Sequence, residues 1–107
     1  MRVISQDETM DFPYEISTFF IYPRTESIIA IQSAGDSEIS IIARYSSREK
    51  ALKAMEMLRR AYENNMFYHC MANTKRFEEV QNILSVEQFR KVTAEHFQFP
   101  RDDEIEV

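Results

Sequence analysis

The chain predicts an α+β fold: an antiparallel sheet of four to six strands packed by one long helix, with one or two shorter C-terminal helices. Three observations predict it. Up to Tyr45, short β-rich runs alternate with turn signals. From about Ser47 to Asn64, apolar residues recur at helical spacing behind a capping signal. The 107 residues are 44% apolar, with eight Phe and five Tyr, enough for one domain with one continuous core.

The elements follow in order. Met1 to Ser5 reads as a short strand with Val3 and Ile4 apolar. Gln6 to Thr9 is polar and turn-like, and Met10 to Tyr14 returns as a strand that Pro13 marks as an edge or an end. Glu15 to Tyr22 is rich in β-formers. Its alternation puts Ile16, Thr18, Phe20 and Tyr22 on one face and Ser17, Phe19 and Ile21 on the other. Glu26 to Ser33 is a second such run, and Ala34-Gly35-Asp36-Ser37 is a turn. In Glu38 to Tyr45, the residues Ile39, Ile41, Ala43 and Tyr45 share a face. Ile42 alone breaks the alternation on the polar side. Together these runs predict an antiparallel meander with one packed face.

The long helix has Ser46 as N-cap and Glu49 three residues on, a capping box. Ala51, Ala54, Met55, Leu58, Ala61 and Tyr62 form its apolar stripe. Glu49 with Lys53, and Glu56 with Arg60, are favourable pairs one turn apart. Asn64-Asn65 suits a helix end. Met66 to Met71 reads as a strand. Lys75 to Leu84 and Ser85 to about His96 read as two short helices. Phe97 and Phe99 open an extended tail, and Pro100 breaks it.

Composition narrows the function. The net charge of −5, from 18 acidic and 13 basic residues, argues against a large basic face that binds nucleic acid. The single cysteine, Cys70, cannot close an internal disulfide and fits a reducing, cytoplasmic setting. No long apolar run reads as a membrane span, and no leader pattern opens the chain. The one glycine, Gly35, excludes glycine-cradled phosphate sites, which need several.

Catalytic and metal constellations are weak. His69 and Cys70 are adjacent, and on a strand they would point to opposite faces. A metal site would need further ligands at ligand-like spacing. A cysteine nucleophile with His96 as base would need an oxyanion-stabilising turn, and no glycine turn is present. The expectation is no catalytic site, no metal and no cofactor. The basic residues around the long helix are interleaved with Glu49, Glu56 and Glu63, which reads as a salt-bridged outer face. The acids form two groups. Asp102, Asp103, Glu104 and Glu106 lie near the C-terminus, alternating with Ile105 and Val107 so that the tail could pair as an edge strand. Asp7, Glu8, Asp11 and Glu15 lie near the N-terminus. Joined, they would make one negative patch that imitates a phosphate backbone towards a nucleic-acid-binding partner.

Three segments resemble a family of short, functionally unassigned proteins of Gram-positive bacteria and their phages. They are the opening MRVISQD…DFPYE, the helix ARYSSREKALKAMEMLRRAYE and the ending FQFPRDDEIEV. The family has Asp-Gly where this chain has Asp7-Glu8, and glycine suits the positive φ of a tight hairpin turn. Asn65 to Glu95 matches nothing in that pattern. The resemblance implies an accessory role in a phage or mobile element. The expected function is a non-enzymatic protein that binds and inhibits a host protein, such as an anti-CRISPR-type inhibitor of a defence nuclease, through the eight acids. A second reading is a self-associating accessory domain that uses an open sheet face or the edge carrying Pro13. A third is a small enzyme using Cys70, His69 or His96.

Overall fold

A computed structural model describes residues 1–72 and 96–107 of the chain. The fold is α+β. Its strands are β1 (Arg2–Ile4), β2 (Asp11–Pro13), β3 (Ser17–Ile21), β4 (Ile28–Ser33), β5 (Ser40–Arg44) and β6 (His96–Gln98). One long helix, α1 (Arg48–Ala72), follows β5. Among the described residues, the expected single antiparallel sheet is corrected to two sheets of three strands, ordered β2-β1-β6 and β3-β4-β5. The second sheet is the expected meander. In the first, β1 pairs antiparallel with β2 and parallel with β6, with Val3 opposite Phe97. The two helices expected within residues 75–96 lie outside the described residues, save that His96 opens β6 rather than ending a helix.

The turn between β1 and β2 keeps a glycine-like shape without the glycine. The Glu8 amide donates to the Ser5 carbonyl at 3.0 Å, and Glu8 sits at φ +67°. In a hairpin loop of this length a left-handed residue is usually glycine. A side chain there costs roughly 1–2 kcal/mol. Asp7 offsets it by accepting from the Ser5 and Thr9 hydroxyls at 2.7 and 2.6 Å and from the Thr9 amide at 3.1 Å.

A single irregularity sets which residues reach the core. Ile29 pairs with Ala43 but Ala30 pairs with Ile41, so Ile42 is an extra residue in β5. This bulge turns Ile42 inward, where it is 2% exposed. Ile39 and Ile41, expected on the packed face, therefore point out. β3 likewise turns one of its two faces inward. Phe19 and Ile21 pair with Ile31 and Ile29, and pack against the core beneath α1. The cause lies in ring contacts outside the strand. Phe19 stacks on Tyr14 at 5.6 Å and meets Phe99 at 6.4 Å, while Tyr14 stacks on Tyr62 of α1 at 4.1 Å.

The helix is capped by Ser47, one residue later than expected, whose hydroxyl accepts from the Lys50 amide at 3.2 Å. Ala51, Ala54 and Leu58 of α1 are buried against Val3, Ile29, Ile31, Ile42, Ala43 and Phe99. The helix then continues through Met66–Met71, which corrects the expected strand there. A short apolar run fits either element. No glycine or proline interrupts Arg48–Ala72, and Asn65, expected to end the helix, is instead 3% exposed inside it. No helix among the described residues is long and apolar enough to cross a membrane.

Candidate functional site

The parallel pairing of β1 with β6 brings the two acidic groups to one part of the molecule. Asp11, Ile4 and Gln98 stand in register across β2, β1 and β6. Beyond that end lie the β1–β2 turn and the segment after β6. The Gln98 amide donates to the Glu8 carboxylate at 3.1 Å. Between them is a cleft of about 310 Å³ whose walls include Gln6, Glu8, Gln98, Arg101 and Glu104. Glu15 is not part of this group. It sits at the opposite end of the sheet, where its carboxylate accepts from the α-amino group of Met1 at 2.5 Å. That bond holds the Glu15 carboxyl below its ordinary range.

Most of these acids bind the protein to itself. Hydrogen bonds from Thr9, then Ser5, draw the Asp7 carboxyl from 3.8 down to about 2. Asp11 pairs with the Arg2 guanidinium at 2.8 Å. Asp102 accepts from the Ser46 amide at 2.7 Å and from Lys50 Nζ at 3.2 Å. The Ser46 amide is the main cause that lowers its carboxyl, with Lys50 adding to it. Glu104 accepts from both the Arg101 amide and the Arg101 guanidinium at 3.1 Å, and both lower its carboxyl, the amide first. The tail is thus a 3₁₀ turn over Asp102–Glu104, which corrects the expected edge strand. Phe99 and Ile105 anchor it in the core.

Three polar residues without a sequence signal organise this region. Gln6 behaves as an extra strand residue beside β5. Its backbone amide donates to the Ile42 carbonyl at 2.9 Å. Its side-chain oxygen accepts from the Arg44 amide at 2.9 Å, and its side-chain nitrogen donates to the Arg44 and Pro100 carbonyls at 3.0 and 3.2 Å. Gln6 thereby fastens the first sheet to the second, and the tail to both. Tyr45 reinforces the clasp by donating to the Pro100 carbonyl at 2.8 Å. Burial, with Asp102 and Glu104 nearby, pushes the Tyr45 hydroxyl well above its usual range, so it stays a donor. Gln98 holds Glu8, as described above. Arg101 places a cation inside the acidic patch, 3.1 Å from Glu104 and 3.7 Å from Asp103.

Glu8, Asp103 and Glu106 are exposed and least committed to the fold. The patch is therefore smaller and more mixed in sign than eight acids suggest. His69 and Cys70 are exposed neighbours on α1, and His96 is exposed at the start of β6. Among the described residues, no group of three His, Cys, Asp or Glu side chains could hold a metal ion. No protein-family model matches the chain, and neither a curated protein nor a solved structure matches it.

Proposed function

We propose that the protein is a non-enzymatic binding protein that engages and inhibits a host protein through the acidic end formed by the β1–β2 turn and the tail after β6. The 3.1 Å bond from Gln98 to Glu8 is the observation that carries this reading. It ties the β1–β2 turn that carries Glu8 to the strand that leads into the acidic tail, so in this reading a partner would meet acids from both ends of the chain together. Glu8, Asp103 and Glu106 are the contact residues in this reading, while Asp7, Asp11, Asp102 and Glu104 hold the surface in place. A basic partner suits it, and a nucleic-acid-handling protein is the most concrete form, since its binding channel is built to receive spaced negative charges. The resemblance to short phage proteins supports an inhibitor of a defence nuclease, of the anti-CRISPR kind.

The test is capture of partners from a nuclease-treated Gram-positive lysate by the protein and by the variant Glu8→Gln/Asp103→Asn/Glu106→Gln. The expected result is one nucleic-acid-handling protein at near-equal stoichiometry with the parent, released by salt and lost from the variant. Equal capture by both forms, or capture of no such protein, removes the proposal.

A further inference from the structure

A second cavity, which shares no residue with the acidic cleft, lies between α1 and the start of β3. Met55, Leu58, Arg59 and Tyr62 recur at helical spacing and form one wall. Tyr14, in the 3₁₀ turn Tyr14–Ile16, and Phe19 of β3 form the other. Leu58 is buried, and Tyr14, Phe19 and Met55 pack against the core, so the floor is apolar. Tyr14 stacks between Tyr62 and Phe19, at 4.1 and 5.6 Å. The cavity measures about 470 Å³, a size that suits one small molecule.

The polar groups around it divide into spent acceptors and unspent donors. Glu15, the one carboxylate on the wall, accepts from the α-amino group of Met1. The Ser17 hydroxyl donates to the Pro13 carbonyl at 2.6 Å. Glu56 takes both Lys53 and Arg60, which leaves Arg59 exposed and without an ion pair among the described residues. Glu63, one turn further along α1, lies outside the wall and forms no ion pair with it. The Tyr14 and Tyr62 hydroxyls have no hydrogen-bond partner among the described residues. Burial first, then Tyr62, holds the Tyr14 hydroxyl above its usual range, so it stays a donor.

We propose that this cavity binds a small aromatic acid, a ring system that carries one carboxylate or sulfonate. The ring rests on the apolar floor of Phe19, Met55 and Leu58. The acid group meets Arg59, with the two phenols as further donors. A planar guanidinium suits a carboxylate, and one unpaired cation matches one negative charge. Contact with the stacked tyrosines favours an aromatic body over an aliphatic one. A cationic ligand fits poorly, because Arg59 repels it and the wall offers no unpaired carboxylate. The site stands apart from the acidic end and does not depend on the reading given to it.

The test is a fluorescence titration of the full chain with anilinonaphthalene sulfonate, an aromatic acid that brightens in apolar sites. The expected result is one saturable site per chain. Arg59→Gln should weaken it about tenfold or more, since a hydrogen bond to a charged group is lost. Arg24→Gln, on the β3–β4 loop, should leave it unchanged. Circular dichroism should show both variants folded, since both side chains are exposed. Naphthoate should displace the probe, and the uncharged naphthalenemethanol should not do so at the same concentrations. No saturable binding overturns the proposal. So does equal binding by Arg59→Gln and the parent, equal weakening by the two variants, or displacement by naphthalenemethanol as effective as by naphthoate.

Discussion

The acidic end of the first sheet and the two ends of the second use charge in opposite ways. At the acidic end, residues that look free in the sequence are mostly consumed. Asp11 holds Arg2, Asp102 holds Ser46 and Lys50, and Glu104 holds Arg101. At the ends of the second sheet the charges are fewer, yet Arg24, Arg44, Asp36 and Glu38 are exposed and form no ion pair among the described residues. The density of charge in a segment thus says little about what a partner can use. What matters is whether neighbouring amides and cations have already satisfied it.

Truncating the core anchor of the tail should have the largest effect. Phe99 is 1% exposed. Phe99→Ala should lower unfolding stability by about 3–5 kcal/mol, read from urea titration. A loss below about 1 kcal/mol would mean the tail is only loosely docked, and the comparison would collapse. Gln6→Ala comes next. It removes the bonds to the Arg44 amide and carbonyl and to the Pro100 carbonyl and should cost about 0.5–1.5 kcal/mol. Gln6→Glu sharpens the point. It keeps the acceptor for the Arg44 amide but replaces the donor to the Arg44 and Pro100 carbonyls, so it should rescue little.

Smaller effects come from the β1–β2 turn. Glu8→Gly relieves the positive φ but loosens the unfolded chain, for a net gain of roughly 0.5–1 kcal/mol. A loss instead would show that the Gln98 bond to Glu8 outweighs the strain. The pH dependence comes from Asp7. Its folded carboxyl lies below its unfolded value, so its contribution is complete above about pH 4. It is lost as pH falls from 3.8 toward about 2. Stability measured across that window should fall less steeply in Asp7→Asn than in the parent. An unchanged slope would assign the acid sensitivity to other groups.

The local parts of this fold were legible in the sequence. The strand positions, the Ala34–Ser37 turn and the helix start follow from alternation, turn residues and a serine cap, all of which act within a few residues. Even Ile42 was visible as a break in alternation, although its meaning, a bulge that turns the pattern over, needed the partner strand. The rest depended on long-range contacts. Nothing near Phe19 says that Tyr14, Tyr62 and Phe99 will draw it inward and leave Phe20 outside. The helix end was hidden because an apolar run such as Met66–Met71 fits helix or strand. The parallel pairing of β1 and β6 joins residues from opposite ends of the chain and has no local signature. For the candidate site, the acids were legible as a set. Their division into structural and exposed members was not, because it turns on Gln6, Gln98 and Arg101, residues unremarkable in the sequence.

The most direct test of that division is to neutralise the two sets separately and compare urea unfolding midpoints. One variant carries Asp7→Asn, Asp11→Asn, Asp102→Asn and Glu104→Gln; the other carries Glu8→Gln, Asp103→Asn and Glu106→Gln. The first should shift the midpoint clearly downward, and the second should leave it where it is in the parent. Equal shifts in both, or a larger shift in the second, would contradict the account.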